Sequence, residues 1–237
     1  MTLKRALVII DLQEDFLPPD GALAVPDGRA VVPLIKELVE SQLYNWSAII
    51  ATQDWHPQDH TSFASQHNLP PFTKLEFSHP LGELDPTTGN AKSQTNMVWP
   101  DHCVENTPGS ALEASFQSCF ELVGSKVPTT IIKKGYLSDR EYYSCFQDTW
   151  GIDHTGIEKY LQNHGITEIV MVGLAYDFCV LNSAIDSVNA GFKTTVLKDC
   201  CRSVYVDKME ETEGRYSKGN VVVTNTKEYE SKIRELK

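Results

Sequence analysis

Short apolar runs with polar ends recur along the chain, and the stretches between them carry apolar residues at helical spacing. The runs are ALVIID (6–11), SAIIATQD (47–54), TTIIKK (129–134), ITEIVMVGLA (166–175), KTTVLKD (193–199) and NVVVT (220–224). Brief, nearly continuous apolar runs rich in Ile and Val read as strands covered on both faces. After the first run, Val31, Leu34, Ile35, Leu38 and Val39 keep the spacing of an amphipathic helix, and Leu112, Phe116, Phe120 and Val123 do so ahead of the third. Ile157, Tyr160 and Leu161 precede the fourth run, with Gly165 where a helix stops, and Val180, Ala184, Ile185 and Val188 follow it. Strand alternating with helix predicts an α/β fold: a three-layer α/β/α sandwich around a six-stranded, mostly parallel sheet, as one domain over 1–237.

One stretch breaks the alternation. Residues 55–107 are rich in proline, show no clear period, and are too long for an ordinary connection. Trp55, Phe63, Phe72, Phe77 and Trp99 make the stretch too aromatic for a disordered linker, so it is expected to fold against the sheet as a cover.

Charge and composition remove whole classes of function. Lysine and arginine number 21 against 32 acids, a net charge of −11 that repels phosphate backbones and anionic membranes, so nucleic acid is not an expected partner. No apolar run approaches the roughly 20 residues that span a bilayer. The opening MTLKRALVIID reads as a first strand rather than a signal peptide, and the six cysteines show no C-x-x-C pair. Both features lead to the expectation of a reducing, intracellular setting, cytoplasmic or nuclear.

In open α/β sheets ligands bind beyond the carboxyl ends of the strands, which makes the polar strand-end residues candidates for chemistry. Asp11 closes the first strand and Asp54 the second; Lys133 or Lys134 closes the third, and Cys179 follows the fourth after a short turn. Strand alternation sends the two lysines to opposite faces, so at most one reaches a common site. Asp177 or a neighbour is expected to cap a helix whose first turn holds Cys179, where unpaired N–H groups favour a thiolate. An aspartyl phosphatase would want a second acid two positions after Asp11, where this chain has Gln13. Acid, amine and thiol together form a nucleophile set.

Beside it lies a second pattern. QDWHP (53–57) places Asp54 and His56 two apart in an extended segment, on one side of the chain. A third metal ligand is available from His60, His67, His79 or His102, and His102 in WPDHCVENT, next to the rigid Pro100, is the most attractive. Two imidazoles and a carboxylate suit zinc, iron(II) or manganese with positions left for water or substrate.

The motifs ALVIIDLQEDF, ATQDWHP, WPDHCVENTPGS, KKGYLSDREYYSCF and VGLAYDFCVLNSA, in this order, resemble the nicotinamidases of the isochorismatase-like cysteine hydrolase superfamily, in particular the fungal type. The resemblance covers nearly the whole chain. It implies Asp11 as the base, Lys134 as the triad lysine and Cys179 as the nucleophile, with the backbone N–H groups of Ala175 and Cys179 as the oxyanion hole and a cis peptide at Leu174–Ala175. It implies Asp54, His56 and His102 as ligands to a divalent metal, zinc before iron(II) or manganese. Phe16, Trp99 and Tyr143 are the implied ring contacts, although ordinary core packing explains such aromatics equally well. The implied reaction converts nicotinamide, with pyrazinamide as a related amide, to the acid and ammonia in NAD salvage, in a protein for which self-association stays open. Many superfamily members have threonine where this chain has Tyr176 or Asp177.

Three alternatives stay beside this reading. One is a hydrolase in which metal-bound water attacks a small amide and Cys179 is structural. Another is an isochorismatase-like enzyme for a different small substrate, and the third is a binding module that catalyses nothing.

Overall fold

The computed structural model describes residues 3–235. In chain order the elements are β1 (Arg5–Ile10), α1 (Val31–Glu40), β2 (Ala48–Asp54), β3 (Thr73–Ser78), β4 (Ser93–Val98), α2 (Ala114–Val123) and β5 (Thr129–Lys134). They continue with α3 (Ile157–Asn163), β6 (Glu168–Leu174), α4 (Cys179–Asn189), β7 (Lys193–Arg202), α5 (Met209–Lys218), β8 (Val222–Thr224) and α6 (Thr226–Glu235). The six expected strands form one sheet in the order β5-β2-β1-β6-β7-β8, and every neighbouring pair is parallel rather than only most of them.

Alternation along β1 divides the core. Leu7 and Ile9 join Ile49, Val172 and the buried faces of α1, α2 and α6, while Ala6, Val8 and Ile10 join Ile50, Met171 and the faces of α3, α4 and α5. Helices therefore cover both faces of the sheet, which is why its central strands are apolar on both sides. From β1 the chain steps to β2 on one side, and from β6 to β7 on the other. The crevice beyond the carboxyl ends of β1 and β6 is thus a topological switch point, where α/β folds place their ligands. Gly173 permits the close β1–β6 approach, since a Cβ there would stand 2.1 Å from the Ile10 carbonyl oxygen, and its φ of +114° is one that glycine tolerates.

Several details depart from the sequence reading. Helix α2 starts after Leu112: the Glu113 side chain accepts the Phe116 N–H at 2.8 Å, and Leu112 instead bridges to Gln13. Within 55–107, β3 and β4 form an antiparallel hairpin that the aperiodic reading does not foresee. Helices α5 and α6 are also additional. No helix among the described residues is long and apolar enough to cross a membrane.

Candidate active site

Register at the sheet's carboxyl edge brings the strand-end polar groups together. Asp54 pairs with Lys134 across β2 and β5, while Asp11 follows β1 with a left-handed φ of 47°, a conformation aspartate tolerates better than most residues. Lys133 points outward, its Nζ 3.2 Å from the centre of the Trp55 ring, whereas Lys134 is fully buried. The Lys134 ammonium sits 2.9 Å from Asp11 Oδ2 and 2.5 Å from Asp54 Oδ1, and donates to the Tyr142 carbonyl at 3.1 Å and to Cys179 Sγ at 3.4 Å. Acid, amine and thiol from three strand ends share one point.

Electrostatics assigns each group a resting state. Burial alone would lower the Lys134 pKa, but the two carboxylates outweigh it and hold the ammonium charged. For Asp54 burial acts upward and is overcome by Lys134 and His56, so this carboxylate stays well below the usual range. Asp11 goes the other way: burial, reinforced by Asp54, raises it despite Lys134. The Thr52 hydroxyl donates to Asp11 Oδ1 at 2.5 Å, while Oδ2 faces the Lys134 ammonium. Burial also pushes the Cys179 thiol well up, with Lys134 opposing. The sulfur therefore rests as a thiol, not as the thiolate expected from its place at a helix start, and a proton acceptor must stand near. Oxygens of Asp11 and Asp54 and the Cys179 sulfur all lie within 4.8 Å of one another.

Cys179 is the first residue of α4, but Asp177 does not cap that helix. Its carboxylate accepts the N–H groups of Val204 and Tyr205 at 3.0 and 2.8 Å, and Phe178 occupies the cap position without a side-chain bond. The Leu174–Ala175 peptide is cis, and the Ala175 carbonyl takes the N–H groups of Phe178 and Val180, both at 3.0 Å. As first helical residue, Cys179 presents an N–H that no earlier turn can accept.

A second cluster adjoins the first. Donor atoms of Asp54, His56 and His102 lie within 4.8 Å of one another, with the two Nε2 atoms 3.7 and 4.0 Å from Asp54 Oδ2. Each ring is oriented from behind: His56 Nδ1 bonds the Gly135 carbonyl at 2.9 Å, and His102 Nδ1 the Pro100 carbonyl at 2.7 Å. His56 N–H donates to the Cys103 carbonyl, tying the strand end to the loop that carries His102. His56 Nε2 is buried without a hydrogen-bond partner. An orphaned imidazole nitrogen facing a carboxylate, its other nitrogen fixed by a carbonyl, fits the donor set that could hold a metal ion. Burial holds His102 down at about 4, leaving its ring neutral and able to ligate. The other candidates are engaged elsewhere. His60 uses both nitrogens, on Ser62 and the Arg140 carbonyl; His67 bonds the Thr61 carbonyl, and His79 pairs with Glu83.

Phe16, Trp99 and Tyr143 line one chamber of about 30 Å³ with Asp54, His102 and Cys179. Trp99 Nε1 donates to the Tyr143 hydroxyl at 3.2 Å, and the Trp99 ring meets Phe178 edge-on at 5.0 Å. Phe178 and Tyr143 also line a larger polar groove of about 570 Å³, so the two spaces share these walls. Glu141 and Phe178 are chamber residues that the motifs contain but do not single out.

The nicotinamidase of Saccharomyces cerevisiae is 37% identical over 204 residues, 86% of this chain and 90% of that protein. The crystal structure of the yeast enzyme bound to the inhibitor nicotinaldehyde superposes with a TM-score of 0.84 at 34% identity, covering 94% of this chain and all of that one. A Pyrococcus horikoshii pyrazinamidase in complex with zinc superposes with a TM-score of 0.68 at 26% identity, covering 94% and 99%. Matched from residue 5 to residue 228 by the model of the isochorismatase domain, the chain belongs to that family.

Proposed function

We infer that the protein is an amidohydrolase that converts nicotinamide to nicotinate and ammonia, a reaction that fits NAD salvage, through a thioester on Cys179. The observation that carries this reading is the convergence of Lys134 on Asp11 and Cys179 beside the Asp54, His56 and His102 cluster. Relatives at 37% and 36% identity that are nicotinamidases support the choice of substrate.

Asp11, raised by burial and with Oδ2 2.9 Å from the Lys134 ammonium, takes the thiol proton as sulfur attacks the amide carbon. The carbonyl oxygen becomes an oxyanion held by the N–H groups of Ala175 and Cys179. As the C–N bond breaks, Asp11 returns the proton to the leaving nitrogen, which departs as ammonia. Water then adds to the thioester, Asp11 takes its proton, and C–S cleavage gives nicotinate and restores the thiol. Lys134 stays charged throughout and offsets the negative charge that moves between sulfur and carboxylate. A divalent cation on Asp54, His56 and His102, zinc before iron(II) or manganese, would supply a Lewis acid that orients a ring nitrogen. Phe16, Trp99 and Tyr143 would flank the ring, and pyrazinamide presents the same amide on a similar ring.

The deciding measurement is ammonia release from nicotinamide by protein with and without chelation. Equal amounts of nicotinate and ammonia are expected, falling on chelation and returning with zinc or manganese. No ammonia under any metal condition sinks the reading.

Alkylation distinguishes the thioester route from attack by metal-bound water. Because burial raises the Cys179 thiol, inactivation by iodoacetamide should accelerate by about tenfold per pH unit from neutral to mildly alkaline pH, and nicotinamide should slow it. A rate that levels off near neutral pH contradicts the resting thiol; activity that survives full labelling of Cys179 favours the water.

A further inference from the structure

We propose that Glu141 is a positioning residue of the metal site, its carboxylate holding a water of the cation bound by Asp54, His56 and His102. The inference rests on the metal reading given above and assigns a role to a group outside the expected ligand set.

Glu141 is only 7% exposed and lines the same chamber as Asp54, His102 and Cys179. Its backbone is clamped on every side. The Arg140 carbonyl bonds His60 Nε2 at 3.0 Å, the Glu141 carbonyl accepts the Thr149 N–H at 2.8 Å, and the Tyr142 carbonyl accepts Lys134 Nζ at 3.1 Å. One carboxylate oxygen accepts the Tyr142 N–H at 2.8 Å. Arg140, the nearest cation in sequence, turns its guanidinium to Asp139 at 2.7 Å and Asp148 at 3.9 Å. Glu141 makes no ion pair among the described residues, and a buried carboxylate in that position calls for positive charge or a strong donor.

Charge balance points to the source. Three buried carboxyl groups, Asp11, Asp54 and Glu141, share this region with one buried ammonium, Lys134, a set that a divalent cation would balance. Burial pushes the Glu141 carboxyl up, and His56 and Lys134 draw it back only in part. It is not among the residues whose donor atoms cluster within 4.8 Å. Contact through a coordinated water, rather than direct ligation, fits that separation.

The test uses the full chain freed of metal by chelation and titrated with Zn²⁺ by competition against a chelating dye. Glu141→Gln, which keeps the shape and the hydrogen bond from Tyr142, should bind Zn²⁺ about 10- to 100-fold more weakly than the parent. Glu141→Asp, which keeps the charge, should recover part of that loss. Metal-free Glu141→Gln should melt at or above the temperature of the metal-free parent, since a buried carboxyl without an ion-pair partner is gone. Zn²⁺ affinities within about twofold across all three proteins overturn the proposal. A parent that takes up no cation overturns the metal reading itself, and this inference with it.

Discussion

Replacing Cys179 by alanine is expected to lower turnover of nicotinamide by about 10⁴-fold or more while leaving bound metal unchanged. The substitution removes the only sulfur within reach of both Asp11 and Lys134 among the described residues, yet Cys179 is not in the group of Asp54, His56 and His102. Metal content by elemental analysis and ammonia release on the same preparation separate the two effects. A Cys179→Ala protein that keeps most of its activity rules out the covalent route and leaves metal-bound water as the nucleophile. Cys179→Ser should also be nearly inactive, because Asp11 is far too weak a base to ionise a hydroxyl.

Lys134→Met should be the most damaging substitution for stability as well as activity. Lys134 is fully buried and separates two buried carboxylates, so its loss leaves Asp11 and Asp54 facing each other without a counter-charge. Breaking a buried pair in this way costs about 3–5 kcal/mol. The sign of the pH dependence follows from the charges. In the parent, Lys134 holds Asp54 below the usual range, so its stabilisation is present above the unfolded carboxyl value and fades as pH falls. In the variant both carboxyls rise, so the deficit is full well above neutral pH and shrinks as pH drops toward about 4, where folded and unfolded chains both bind the protons. Urea midpoints of metal-free parent and variant at mildly alkaline and mildly acidic pH check this. A deficit that does not narrow on acidification shows that lost packing, not unpaired charge, is responsible.

How much of this is legible in the sequence depends on how each element is buried. The six strands read clearly because Ile, Val and Ala fill both faces of β1, β2 and β6, which leaves continuous apolar runs. The β3–β4 hairpin does alternate, with Thr73, Leu75 and Phe77 half-buried and Lys74, Glu76 and Ser78 exposed, but it sits inside a proline-rich stretch whose overall pattern hides it. Helices α5 and α6 bury only Thr212 and Tyr216, and Tyr229 and Ile233, too few positions to register as a period.

At the site, strand ends nominate Asp11, Asp54 and Cys179. Alternation separates Lys133 from Lys134 without saying which faces inward, because that depends on what packs on each side of an edge strand. The resemblance selects Lys134, the one that is buried. Histidines 60, 67, 79 and 102 share one segment, and only the path of the chain brings His102 to Asp54. Glu141 stays hidden for a similar reason: an acid in a loop looks solvated until the loop is seen to fold inward.

Gln13, where a phosphatase would place its second acid, has its own task. Its amide exchanges two hydrogen bonds of 2.8 Å with the backbone of Asp54, accepting at Oε1 and donating from Nε2, and Nε2 also reaches the Ser110 carbonyl at 2.9 Å. The segment after β1 and the tip of β2 are thereby riveted together past the point where the ladder ends. The spacing between Asp11 and the Asp54 carboxylate is in this way set by a side chain outside both clusters, and a shorter amide at position 13 would loosen both at once.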